Sequence, residues 1–405
     1  MTPSPGTTIP LDLRRTGFGP APDAEELRDG AGIARVPTPF GPPAWLLTRQ
    51  ADVRRMLGDA DTFANGWTPD DLAGDDGAVR RDPRQLSGDR TGNLLSLDPP
   101  EHTRLRKMLA GEFTVRRMRR LEPRIVEIVD DHLDALEGSG APADLVAQYA
   151  LPIPSLVICE LLGVPPGDQD EFQARTSAQL DTGLPEERRV ALAAEALAYM
   201  QTLVARARRD TGDDLIGMLL REHPDDLTSD ELVGIANLLL VAGHETTANM
   251  LGLGTLALLR HPEQLAAVRD DDDAVAPAVE ELMRWLSIVS SGSPRLALRD
   301  VEIEGATIHR GDLVVFNLPA ANRDPAVVDD PDRLDITRDA PPPHVAFGHG
   351  VHHCLGAPLA RMEMRIAFPA LLRRFPTLHL AIPDDEVAWA TRHAIHGLER
   401  LPVAW

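Results

Sequence analysis

The chemistry of this 405-residue chain is expected to centre on Cys354, which lies in Phe347-Gly348-His349-Gly350-Val351-His352-His353-Cys354-Leu355-Gly356. The glycines permit tight or left-handed backbone geometry just ahead of a helix start. A thiolate placed there would be stabilised by unpaired backbone N–H groups and by the positive end of the helix dipole. That is a site for an anionic sulfur ligand. Dinucleotide binding is a poor reading, because the G-x-G-x-x-G spacing fails at His353 and no suitable strand precedes the loop. Two rivals stay open on this motif alone. One is a buried structural cysteine beside a glycine-rich turn. The other is a zinc site from His349, His352, His353 and Cys354, although neighbouring residues in one loop do not easily converge as a tetrahedron.

Other residues carry chemistry at meaningful spacings. His102 and Arg106 are four apart, so on a helix they share one face. Arg295 follows Ser293-Pro294. Taken singly, each of these is read as a surface salt-bridge residue. Ala242-Gly243-His244-Glu245-Thr246-Thr247 interrupts an otherwise apolar helix, and burying an acid and two hydroxyls costs several kcal/mol unless they are paired or needed. Glu281 and Arg284 are three apart, a spacing worth only a few tenths of a kcal/mol on a surface helix.

The pattern F-G-x-G-x-H-x-C-x-G, complete at Phe347, Gly348, Gly350, His352, Cys354 and Gly356, resembles the haem-binding signature of the cytochrome P450 superfamily. The resemblance implies haem b with Cys354 as axial iron ligand, and propionates held by His102, Arg106, Arg295 and His352. It implies that Ala242 and Gly243 leave room for oxygen, that Thr246 steadies it and that Glu245 relays protons. It makes Glu281 and Arg284 a structural pair bracing the cysteine loop near Asn322-Arg323-Asp324-Pro325. It also implies the family's fold, mainly α with a small β-sheet region, an α-rich trigonal prism around a buried haem. The activity implied is that of a soluble, actinomycete-type monooxygenase that uses O2 and two electrons to insert oxygen into a C–H bond. Its guest would be a bulky lipophilic molecule such as a macrolide or other polyketide, or a terpenoid. Leu94, Leu238, Ala242, Val289 and Ile395 are carried over as pocket residues, apolar and small enough for such a guest. Epoxidation, oxidative coupling, xenobiotic oxidation and a non-enzymatic haem protein are the alternatives.

These groups need long helices to position them. From Glu101 onward, Leu121–Leu136, Ser155–Leu162, Arg188–Arg208 and Leu215–Leu220 show apolar positions at three- and four-residue spacing. Thr228-Ser229-Asp230-Glu231 is a capping-box pattern opening a helix that runs to Leu259, before His261-Pro262. At 1.5 Å per residue it spans roughly 45 Å. Val301–Ile308 and Leu313–Leu318 read as two strands, and a last helix covers about Leu355 to Phe375. The polar stretch Gly66–Gly92 reads as a surface loop, and it and Pro165–Arg189 are expected to form a lid.

With 41 Lys+Arg against 63 Asp+Glu, the net charge is -22. A broad nucleic-acid surface is excluded, because phosphates need a basic face. Two cysteines, Cys159 and Cys354, exclude a disulfide framework and an iron–sulfur cluster, so electrons must come from outside. Arg104, Arg106, Lys107, Arg116, Arg117, Arg119 and Arg120 fall within seventeen residues, a patch able to steer an acidic ferredoxin, itself served by a ferredoxin reductase. No apolar run approaches the ~20 residues of a membrane span. A cytoplasmic monomer is expected. Because residues 102 to 356 would enclose one cofactor, residues 1–405 are read as a single domain.

Overall fold

The computed structural model describes residues 10–38, 43–67, 91–169, 185–390 and 395–405. Its helices are α1 Pro22–Asp29, α2 Gln50–Gly58, α3 Glu101–Ala110, α4 Val115–Ser139, α5 Pro152–Leu162, α6 Glu186–Ala207, α7 Leu215–Glu222, α8 Ser229–Leu259, α9 Pro262–Asp270, α10 Asp272–Leu286, α11 Leu318–Ala321 and α12 Ala357–Arg374. The fold is therefore mainly α, as the periodicity predicts. Most of each lid segment, residues 68–90 and 170–184, lies outside the described residues.

Helix α8 is the axis of the core. Both halves of its capping box are present: the Thr228 side chain accepts from the Glu231 amide, and Glu231 accepts from the Thr228 amide. Such caps satisfy donors that the first helical turn leaves orphaned. Because α8 is apolar nearly all round, it must be covered on every side, and α5, α6 and α12 pack along it. Two of these approaches are close. A Cβ on Gly243 would lie 2.6 Å from Cδ1 of Ile158 in α5, and one on Gly254 would lie 2.4 Å from Cζ of Phe368 in α12. Among the described residues, no helix is long and apolar enough to cross a membrane.

The larger sheet has five strands in the order Ile33–Val36, Ala44–Leu47, Leu313–Phe316, Arg295–Ala297 and Phe63–Ala64. Leu313–Phe316 sits between a parallel neighbour, Ala44–Leu47, and an antiparallel one, Arg295–Ala297. Two sequence expectations change here. Val301–Ile308 is not one strand but a hairpin, with Val301 opposite Ile308 and a turn at Glu304-Gly305. Both turn residues have positive φ, 50° and 74°, the geometry that matches strand twist in a two-residue hairpin. The strand from Leu313 ends at Phe316 rather than Leu318, because Asn317 turns the chain by accepting the Ala320 amide at 2.9 Å and capping α11.

The segment leading to α3 is fixed by backbone-to-backbone packing on α8. A Cβ on Gly234 would fall 1.9 Å from the Thr91 carbonyl oxygen, and one on Gly92, at φ 75°, 2.2 Å from the Glu231 carbonyl oxygen. A Gly234→Ala substitution adds helix propensity worth up to ~1 kcal/mol, but backbone cannot step aside as a side-chain tip can. The clash is expected to win, lowering unfolding stability by about 1–3 kcal/mol in a urea titration; a midpoint equal to or above the parent's would contradict this packing.

Candidate functional site

Cys354 closes a turn built by its own backbone. Gly348 and Gly350 hold φ of 72° and 70°, the Cys354 amide donates to the Phe347 carbonyl at 2.8 Å, and the His353 amide to the Gly350 carbonyl at 3.0 Å. The loop cannot drift outward, since a Cβ on Gly350 would meet the Leu57 carbonyl of α2 at 2.4 Å. α12 then starts at Ala357, and the amides of Gly356 and Ala357 both donate to the Cys354 sulfur. Burial pushes the Cys354 thiol up, against those amides and the nearby Arg106 and Arg361 guanidinium groups, which pull it down. Cys354 as a residue nonetheless keeps solvent-accessible surface.

Around it the structure gathers the four predicted cations and donors. The rings of His102, on α3, and His352 lie 4.2 Å apart between centroids. Both ring nitrogens of His102 and Nε2 of His352 are buried without a hydrogen-bond partner. Arg106, one turn along α3, donates to the His353 carbonyl at 2.5 Å. Arg295 enters from the central sheet, 6% exposed, and donates to the Ser293 carbonyl at 3.0 Å. Burial, with Arg295, His102 and Arg106 adding to it, pushes His352 down to about 3, and burial pushes Arg295 down to about 10. Asp98 lies close enough to oppose the shifts of both Arg295 and His102, yet its own oxygens already accept the Asn65 and Gly66 amides. Orphaned buried donors beside two guanidinium groups are what a dianionic ligand would satisfy. Facing a cysteine sulfur, this donor set fits a haem with its propionates and iron, whereas the described residues hold no His/Cys/Asp/Glu cluster suited to a bare metal ion.

Helix α8 contributes one face. Leu238, Ala242 and Thr246, spaced four apart, keep accessible surface in a helix that is otherwise largely buried, and Thr246 Oγ1 donates to the Ala242 carbonyl at 2.8 Å. Gly243 is turned elsewhere, toward Ile158, so helix packing accounts for its lack of a side chain. Glu245 and Thr246 do not share a face. Glu245 borders a separate cavity of about 140 Å³ with His244, Asn249 and the exposed Glu399. Among the pocket positions, Val289 and Ile395 pair across an isolated antiparallel bridge. Both remain partly accessible, while Leu94 is buried in the main core.

Glu281 and Arg284 are fully interior, with two side-chain bonds of 2.8 Å between them. Arg284 also donates to the carbonyls of Asn322 and Pro331 at 3.0 and 2.9 Å. Asn322 Oδ1 accepts the Val345 amide at 2.7 Å, two residues before Phe347. A second brace escaped the sequence reading. Glu280 pairs with Arg361 at 2.6 and 2.8 Å, and the Arg361 guanidinium covers the Phe347 ring at 4.4 Å. Burial alone would raise the Glu280 carboxyl, but bonds from His344 and Arg361 bring it down to about 2. The available signal was two adjacent acids on one helix, each needing a cation.

Comparison with known proteins agrees with this geometry. A family model described as Cytochrome P450 matches residues 186–386. The chain is 49% identical over 397 residues to "Cytochrome P450 FAS1" of Rhodococcoides fascians, covering 98% of each. It is 41% identical over 384 residues to the mycinamicin IV hydroxylase/epoxidase of Micromonospora griseorubida, covering 94% of each. The solved structure of P450 StaH from glycopeptide antibiotic biosynthesis superposes with a TM-score of 0.88 at 45% identity, over 98% of this chain and 100% of that one. Fold and site define a monooxygenase of the kind that works with haem iron. The chain belongs to the cytochrome P450 family.

His244 yields a test of the interior beside Glu245. It is 2% exposed, and burial pushes it down to about 4 against a backbone bond at Leu151. A depressed histidine favours the folded state above its unfolded pKa near 6.5, and that contribution is lost as pH falls toward 4. Between pH 7 and pH 5 this residue alone is expected to remove about 2 kcal/mol of stability. Urea unfolding at the two pH values should show that the His244→Leu variant loses correspondingly less than the parent; equal losses would contradict it.

Proposed function

We propose that this chain is a haem-thiolate monooxygenase in which Cys354 ligates the iron of haem b, and which hydroxylates or epoxidises a bulky lipophilic molecule of secondary metabolism. The observation that carries the reading is the set of buried, unpartnered imidazole nitrogens of His102 and His352 beside the Arg106 and Arg295 guanidinium groups and one cysteine sulfur. His102, Arg106, Arg295 and His352 are assigned to the propionates, and the amides of Gly356 and Ala357 to the sulfur. When bound, the haem supplies the oxidising chemistry, and thiolate ligation favours O–O cleavage. Residues 1–405 act as one domain around it.

The remaining work belongs to the protein. Leu238, Ala242, Val289 and Ile395 offer an apolar wall that excludes water and orients the guest by shape. Thr246 Oγ1 stands on that wall and is assigned the proton donated at the reacting face, which it must first release from the Ala242 carbonyl that holds it at 2.8 Å. Glu245 is assigned the relay of that proton from the resemblance; it opens on the cavity of the exposed Glu399 rather than on the Thr246 face, so the relay requires its side chain to swing across. Electrons are assigned to an acidic ferredoxin and its reductase. The basic patch is narrower than the sequence suggests, since Arg104 pairs with Glu101 and Glu231, and Arg117 with Glu112. Lys107, Arg116, Arg119 and Arg120 are left exposed for docking.

Macrolide and terpenoid guests are favoured by the apolar wall and by the likeness to the mycinamicin IV hydroxylase/epoxidase. The likeness to StaH favours a second reading, oxidative coupling of aromatic rings. Product analysis under isotopically labelled dioxygen separates them, because insertion retains label and coupling retains none.

The reduced protein with carbon monoxide is expected to give the strongly red-shifted Soret band of thiolate ligation, and Cys354→Ser to lose it; a globin-like band in the parent would overturn the reading. Thr246→Ala is expected to uncouple electron uptake from product by roughly a hundredfold, the low end of the usual range for a positioned proton donor, with the electrons recovered as peroxide. Unchanged coupling would remove Thr246 from its role.

A further inference from the structure

We propose that Arg15 and His396 are positioning residues that clamp the N-terminal segment onto the Val289–Ile395 bridge and thereby set the shape of the substrate pocket. The inference rests on the reading above that Val289 and Ile395 line that pocket. Neither Arg15 nor His396 touches the guest; they act through the backbone on which it leans.

The bridge is held by its concealed neighbours. The His396 amide donates to the Ile288 carbonyl at 2.8 Å, and Ile288 and His396 are buried while Val289 and Ile395 keep accessible surface. That alternation is the two-residue period of extended chain. The turn leading in is strained: Ser287, at the end of α10, holds φ 40° and ψ 57°, a left-handed conformation that a non-glycine residue keeps only when its surroundings enforce it. Asn322 enforces it from one side by donating to Ser287 Oγ at 2.7 Å. Arg15 does so from the other. Its guanidinium donates to the Ser287 carbonyl at 2.8 Å, the Leu286 carbonyl at 2.6 Å and the Phe18 carbonyl at 2.8 Å.

The opposite strand is tied to the same segment. His396 Nε2 lies 2.8 Å from the Gly17 carbonyl, so this nitrogen carries the proton and donates. The ring stacks on Trp389 at 5.3 Å and 13°. Phe18 contacts both Trp389, at 5.3 Å, and Trp285 on α10, at 4.9 Å. Arg15, Gly17 and Phe18 therefore bind both sides of the bridge. If this clamp slackens, the strained turn can relax and the gap between Val289 and Ile395 is no longer fixed.

The probes are imidazole, which reports iron ligation alone, and 4-phenylimidazole, whose phenyl group also presses on the pocket wall. In Soret titrations of the holoenzyme, Arg15→Ala is expected to weaken 4-phenylimidazole about fivefold relative to imidazole, the equivalent of one net hydrogen bond. Arg15→Lys should recover most of that ratio. His396→Phe, which keeps the stack on Trp389, should shift it in the same direction by less. Amide exchange in the unliganded protein provides an arm independent of iron: in Arg15→Ala it should rise over residues 287–290 and 395–398 and stay unchanged along α8. An unchanged ratio in both Arg15→Ala and His396→Phe, or exchange rising evenly over the chain, would overturn the clamp. Absence of any Soret response to imidazole in the parent would instead overturn the haem-thiolate reading, and the exchange result would still decide the clamp.

Discussion

The architecture around the cysteine depends on a guanidinium group that has nowhere to go. Arg284 is completely buried, so each of its N–H groups must find an acceptor inside the protein or cost the fold several kcal/mol. Glu281 takes two of them, and the rest must meet carbonyls of the chain between Asn322 and Arg333. A buried pair of this kind adds little net stability, because desolvation offsets the attraction. Its effect is on geometry. The chain between α11 and the cysteine loop must present its carbonyls to α10 in one arrangement only, and Asn322 passes that arrangement to Val345 and so to the start of the loop.

Electrostatics then divides the molecule into an outside and an inside of opposite character. The net charge of -22 is spread over the surface, where water screens it within roughly 10 Å. Inward, His102, Arg106, Arg295 and His352 converge, with Asp98 and Cys354 as counterweights among the described residues. The histidines respond by staying neutral, while the arginines stay charged because even when depressed they titrate far above neutrality. An interior arranged in this way selects an anionic guest group by the cost of leaving those cations alone.

Much of this was legible in the sequence where the cause is local. The capping box of α8 and the glycines of the cysteine loop each express a rule that spans only a few residues. The hairpin at Glu304-Gly305 was lost because two short strands with one polar turn resemble a single longer strand. Contacts across the chain left no trace: nothing in Ala44–Leu47 announces that it lies beside Leu313–Phe316, and nothing near Arg15 announces Leu286. Adjacent letters can also part in space. Glu245 and Thr246 are neighbours in sequence, but a helix turns about 100° per residue, and that rotation sends them to different faces of α8. Gly243 was read as room for oxygen, although the nearest atoms belong to Ile158.

The stretch from Trp67 to Thr91 is fastened at both ends. Asp98 holds the amides of Asn65 and Gly66, Trp67 donates to the Pro294 carbonyl at 3.0 Å, and Thr91-Gly92 is seated on the backbone of α8. The anchors on either side are thus placed by contacts of their own. A change in the number of residues between them would leave Asn65, Gly66 and Trp67 on one side, and Thr91 and Gly92 on the other, where those contacts put them. Such a division lets one scaffold try new guests without relearning how to hold its cofactor.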